Sequence, residues 1–82
     1  MTRIEKILSS GVIKATTFPF FSYDNTPYTF FSFKGVDDKG EYLLLGNIAE
    51  DNSENTAIVN GKKCSVIDLD LCVDNKVVEH LD

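Results

Sequence analysis

Residues 18–33 read FPFFSYDNTPYTFFSF, and this window holds eight of the nine aromatic residues in the chain. A buried aromatic side chain withdraws about 150–250 Å² from water, so a stretch this short carries more apolar surface than it can leave solvated. Either the window supplies most of the core of a small β-domain, or part of it is a recognition face. With 82 residues, 43% of them hydrophobic, the chain has room for a single domain spanning 1–82 with one modest core. The two uses therefore compete for the same rings.

Local patterns give the elements. In 28–34, Tyr28 and Phe30 fall on one face of a strand, and Phe31 and Phe33 on the other. A strand apolar on both faces is central in a sheet or crosses a barrel. Residues 12–20 alternate as a preceding strand, and Pro19, with no amide hydrogen, ends it or places it at an edge. Between them, Tyr23-Asp24-Asn25-Thr26-Pro27 is a turn cluster. Residues 35–40 form a polar connection bounded by glycines, leading to a strand at 41–48 antiparallel to the one before.

Residues 50–55 read as a solvated loop. Asn60-Gly61 after 56–59 suits a type I′ hairpin turn, whose two central residues both need positive φ. In the strand that follows, Cys64 and Val66 occupy the buried side first, and Ile67, Leu69, Leu71 and Val73 occupy it afterwards. The buried parity switches near Val66 and Ile67, which a β-bulge or sharp bend accomplishes. Such a corner curls a small sheet toward a barrel. Asp74-Asn75 can turn the chain again, into a last edge strand or fraying tail at 76–81.

At the other end, Thr2 and Glu5 form a capping box and Ile4, Ile7 and Leu8 share one helical face, with Gly11 as the stop. The expected fold is mostly β: an antiparallel sheet of five to six strands, partly closed in the manner of an OB- or SH3-like barrel, with a short N-terminal helix. Its expected core is Ile4, Ile7, Val12, Phe20, Phe31, Phe33, Leu43, Leu45, Val59, Val66, Ile67, Leu69 and Leu71.

Charge narrows the partners. The net charge is −5, divided as five basic and four acidic side chains in 1–40 and three basic and nine acidic in 41–82. A carboxylate-rich surface is repelled by nucleic-acid phosphates and is compatible with a basic protein partner. No export signal or bilayer-spanning apolar run is present, which with two unpaired thiols predicts a cytoplasmic protein with no membrane association. Cys64 and Cys72 on one extended strand stand about 26 Å apart, too far for a disulfide.

Catalytic constellations are missing. His80 is the only histidine, the spacing of Cys64, Cys72 and His80 matches no zinc knuckle, and the glycines are scattered singly with no phosphate loop. Asp68, Asp70 and Asp74 alternate on one strand face, where a solvated surface is the simpler reading than a cation site. The sequence therefore predicts no enzyme, no cofactor and no metal, and a function carried by a surface. Phe18, Phe21, Tyr23 and Tyr28 flank the turn and are the expected aromatic anchors, since interfaces are enriched in such residues. Glu50, Asp51, Asp68 and Asp70 offer a one-signed patch that steers a basic partner.

The leading expectation is a small acidic protein-binding module. One form it could take is an inhibitor of a host protein encoded by a phage or mobile element, which it resembles only in size and acidity. Self-association through an exposed strand edge would satisfy the same apolar surface. The alternative is an OB-like single-stranded nucleic-acid binder that stacks bases on the 18–33 cluster, an idea the charge opposes.

Overall fold

The computed structural model describes residues 1–10, 13–49 and 56–81. It contains one helix, α1 (Arg3–Ser9), and six strands: β1 (Thr16–Phe21), β2 (Pro27–Asp37), β3 (Gly40–Ala49), β4 (Thr56–Val59), β5 (Lys62–Val73) and β6 (Lys76–Leu81). Seven residues of helix are too few to persist on propensity. A capping box starts it, with Thr2 Oγ1 accepting from the Glu5 amide at 3.2 Å and Glu5 Oε1 accepting from the Thr2 amide at 2.8 Å. Packing then holds it. Ile4 and Ile7 are buried in the core, and Arg3 donates two 2.8 Å hydrogen bonds to Asp37 and one of 3.2 Å to the Gly40 carbonyl. The Arg3 guanidinium also lies 5.4 Å from the centre of the Tyr42 ring.

All six strands join one antiparallel sheet in the order β1-β2-β3-β5, and the far edge of β5 is shared by two short strands. There β4 pairs with 62–65, and β6 pairs with 69–73. The Asn60-Gly61 turn has φ of 53° and 81°, the two positive values a type I′ hairpin requires. Asp74 and Asn75, at 52° and 65°, make the same kind of turn into β6. The polar connection expected over 35–40 shrinks to Asp38 and Lys39, because β2 and β3 continue pairing as far as Asp37 and Gly40.

The parity switch in β5 is a bulge. Asn47 of β3 faces Asp68 while the next residue, Ile48, faces Val66, so Ile67 is supernumerary. Cys64 and Val66 before it and Leu69 and Leu71 after it all turn inward. Close approach at this point requires Gly46, since a Cβ there would run into the Asp68 carbonyl and the Leu69 side chain.

The sheet does not close into a barrel. Among the described residues, no ladder joins the free edges of β1 and β4. The chain entering β1 makes one parallel bridge, Ile13 to Val59. Asn60 reinforces it: its amide donates to the Ile13 carbonyl at 2.8 Å, its Oδ1 accepts from the Ala15 amide at 2.8 Å, and its Nδ2 donates to the Ala15 carbonyl at 3.1 Å.

The core lies between α1 and the inner face of the sheet. It comprises Ile4, Ile7, Ile13, Phe31, Tyr42, Leu44, Ile48, Ala57, Val59, Cys64, Val66, Leu69 and Leu71, with Phe33 packed against them. Four core expectations change. In β3 the buried set is Tyr42, Leu44 and Ile48, which places Leu43 and Leu45 half-buried on the opposite, outer face. Three consecutive leucines carry no parity of their own, and the pairing of Leu44 with both Phe33 and Leu71 settles it. Ile67 is exposed because the bulge turns it outward with Asp68. Phe20 is half-buried on the outer face, opposite Tyr28. Val12 lies outside the described residues.

Candidate protein-interaction face

Pairing register assigns the paired strand residues to the inner or the outer face, and among the described residues no helix or strand lies over the outer face. Phe18 and Phe20 of β1 stand directly opposite Phe30 and Tyr28 of β2. Ser32 and Lys34 continue the same row of β2, opposite Leu45 and Leu43 of β3. Those leucines in turn face Asp70 and Cys72 of β5, and Asn47 faces Asp68. On β6, Val77 lies opposite Cys72 and His80 opposite Asp70. The separation of Phe30 and Tyr28 from Phe31 and Phe33 is the one expected from the sequence.

The two halves of this face differ chemically. The β1–β2 side is aromatic: Phe18 is 66% exposed and Phe30 39%. The rings of Phe20 and Tyr28 sit 6.0 Å apart in a tilted pair, a spacing favoured by aromatic quadrupoles. The middle is aliphatic, from Leu43 and Leu45. The β5–β6 side is charged. His80 Nδ1 lies 2.7 Å from Asp70 Oδ1, and Nε2 lies 3.2 Å from Asp68 Oδ1. Only the imidazolium, with an N–H on each ring nitrogen, can donate to both carboxylates at once. Val36, Ile58, Val77 and Val78 are further exposed apolar side chains around this surface. A contiguous apolar face on a small protein marks a contact surface more often than scattered single residues do.

The expected anchors divide. Phe18 and Tyr28 belong to the outer face, with Tyr28 half-buried. Phe21 has the opposite parity and, 70% exposed, lines a groove of about 400 Å³ beside Pro19, Pro27 and Ala49. Tyr23 projects fully from the β1–β2 turn. That turn is fixed locally: the Ser22 hydroxyl donates to Asp24 Oδ1, which lowers the Asp24 pKa, and the Ser22 amide donates to the Thr26 carbonyl at 2.9 Å. Asp68 and Asp70 join the outer face beside His80. Glu50 and Asp51 lie outside the described residues. Phe30, Leu43, Leu45 and His80 share this face and were not among the expected contact residues. The register that brings them together depends on long-range pairing, although the alternation of β2 already pointed Phe30 the same way as Tyr28.

Other features supply less chemistry. A cleft of about 250 Å³ opens at the unclosed end of the sheet, between Thr17 and Pro19 on one wall and Val59, Asn60 and Cys64 on the other. Cys64 is buried and Cys72 half-buried, and both are free thiols. Among the described residues, no group of three or more His, Cys, Asp or Glu is arranged to hold a metal ion, and no helix is long and apolar enough to cross a membrane. No protein-family model, curated protein or solved structure matches this chain.

Proposed function

We propose that this protein acts by binding another protein, through the outer face of its sheet. The observation that carries the reading is the uncovered Phe18–Phe30 pair, continuous with Leu43 and Leu45. Rings held on paired strands are preorganised, so docking on them costs little conformational entropy. Asp68 and Asp70 at the border supply orientation, favouring a partner that brings cationic or hydrogen-bond-donor groups to that side.

Stacking of single-stranded bases on Phe18 and Phe30 is the competing use of the same rings. It is disfavoured because Asp68 and Asp70 share the face, leaving Lys34 as its central cation.

Quantitative affinity capture separates the two. The wild type, Phe18→Ser and Phe30→Ser are immobilised side by side, and retained protein and nucleic acid are both measured. The expected outcome is a protein whose retention falls at least tenfold with either variant, as truncation of an interface anchor costs about 2 kcal/mol or more. Retention of nucleic acid alone, lost steeply as salt rises, would overturn the reading. Circular dichroism on each variant checks that the sheet survives.

A further inference from the structure

We propose that Asn60 is a self-modification site. Its carboxamide is lost to ring closure by the Gly61 nitrogen when the bonds to Ala15 release, and the acidic product cannot restore them. The join between the chain ahead of β1 and the β4–β5 turn is then weakened irreversibly.

The sequence supplies the reactive pair. Asn60 is the one asparagine of the chain that is followed by glycine. Asparagine is a thermolabile residue type. The reaction requires the next backbone nitrogen to reach the side-chain carbonyl carbon, and glycine, with no Cβ, hinders that approach least. Asn60 and Gly61 are both exposed, at the two central positions of the β4–β5 turn. The Gly61 amide donates to no backbone carbonyl among the described residues, and a Cβ at Gly61 would meet nothing within 4 Å. Solvent base therefore has access to the amide proton. Asn25 and Asn75 are also exposed and have nearly the same backbone, with φ of 66° and 65°, but Thr26 and Lys76 follow them. They serve as controls within the same molecule.

The chemistry needs only water. Base removes the Gly61 amide proton, and the nitrogen attacks Asn60 Cγ. An N–C bond forms, the Cγ–Nδ2 bond breaks, and Nδ2 leaves as ammonia, taking a proton from water. Water then opens the cyclic imide at one carbonyl or the other, giving aspartate or isoaspartate. The net change is one water consumed and one ammonia released, with no oxidation or reduction.

The fold sets the timing. Asn60 Oδ1 accepts from the Ala15 amide at 2.8 Å, and Nδ2 donates to the Ala15 carbonyl at 3.1 Å. Since Nδ2 departs, the second bond must break for the reaction to proceed. A carboxamide held at both ends by Ala15 is also not free to turn toward its own chain. Conversion therefore proceeds from the fraction of molecules in which this contact is open. In the product, oxygen replaces the departed nitrogen. An ionised carboxylate only accepts, so two acceptors now face each other at the Ala15 carbonyl. Isoaspartate also adds a backbone carbon to a turn whose length fixes the hairpin. What still joins the two ends is the Ile13–Val59 bridge and the bond from the Asn60 amide to the Ile13 carbonyl.

The test is incubation of the full chain in mildly alkaline buffer, native and in guanidinium chloride, with the amide-to-acid conversion located by peptide mass spectrometry. In denaturant, Asn60 should convert faster than Asn25 and Asn75. In the native chain its conversion should be slower by about tenfold or more, the factor by which a closed contact of about 1.4 kcal/mol suppresses the open state. Ala15→Pro, which removes the donor to Oδ1, should bring the native rate toward the denatured one; should that variant unfold, the wild-type comparison decides alone. In nuclear magnetic resonance spectra, the converted chain and Asn60→Asp should both lose the contacts between Ala15 and the side chain of residue 60, while those of Phe31 with Leu44 persist. Equal native and denatured rates would show that the fold does not control the reaction and overturn the inference. Conversion at Asn25 or Asn75 without conversion at Asn60 overturns it too, as does a converted chain that keeps its Ala15 contacts.

Discussion

Arg3 and Asp37 show how much one pair of side chains does in this fold. The guanidinium lies over Tyr42 and bridges the helix to the β2–β3 turn through hydrogen bonds to both Asp37 oxygens and the Gly40 carbonyl. The hydrogen bond from Arg3 holds the Asp37 carboxyl below its ordinary pKa, while burial pushes the Tyr42 phenol up. A carboxylate whose folded pKa is depressed stabilises the fold above its unfolded pKa of about 3.9, and that stability is lost as pH falls through the folded value. Asp37→Asn removes this contribution. Urea unfolding from pH 6 down to pH 2 should therefore show a shallower loss of stability for Asp37→Asn than for wild type. Parallel curves would mean that the pair contributes nothing. Glu5 and Asp24 are also lowered, by the Thr2 amide and the Ser22 hydroxyl, and keep a residual acid dependence in the variant.

Among the elements, β3 and β5 decide which side chains meet. Leu44 is fully buried and Leu45 is half-buried on the other face. Leu44→Ala should cost about 2–5 kcal/mol by leaving a cavity in the core. Leu45→Ala should cost less than half of that. The reverse order in urea denaturation would mean that the face assignment of β3 is inverted. At the bulge, Gly46→Ala forces a methyl against the Asp68 carbonyl and Leu69, so a destabilisation of about 1–3 kcal/mol is expected. An unchanged midpoint would show that the bulge can relax at no cost.

These elements also show what a sequence can reveal. The capping box, the Asn60-Gly61 turn, the edge position implied by Pro19 and the parity switch in β5 are local signals, carried by residues a few positions apart, and each appears in the structure. The side of the sheet taken by Leu43 and Leu45 was not legible, because an unbroken apolar run fits either parity until its partners are known. The switch was visible, but whether Ile67 or its neighbour was supernumerary depended on Asn47 and Ile48 across the ladder. His80 looked like part of a fraying end. Its two carboxylate partners lie ten and twelve positions upstream, and a second irregularity in β6, between the partners of Leu71 and Cys72, helps set its register.

Among the described residues, one helix packs on the inner face of the sheet and no helix or strand lies over the outer face. Ile4 is 1% exposed, so Ile4→Ala should cost about 2–5 kcal/mol, a large share of the stability of so small a chain.

The Asn60 clasp has a kinetic consequence. Where a closed barrel would carry a full ladder, one bridge and one side chain join the chain ahead of β1 to the β4–β5 turn. The molecule resembles a ring cut at one point and held by a hook, so its cheapest excursion from the native state is to spring open there. Amide protons of Ala15 and Asn60 should exchange with solvent through this local opening, long before those of β2 and β3, whose release requires the whole sheet to come apart. Asn60→Gly keeps the turn but removes the hook, and should speed exchange at Ala15 while leaving Phe31 and Leu44 as slow as before.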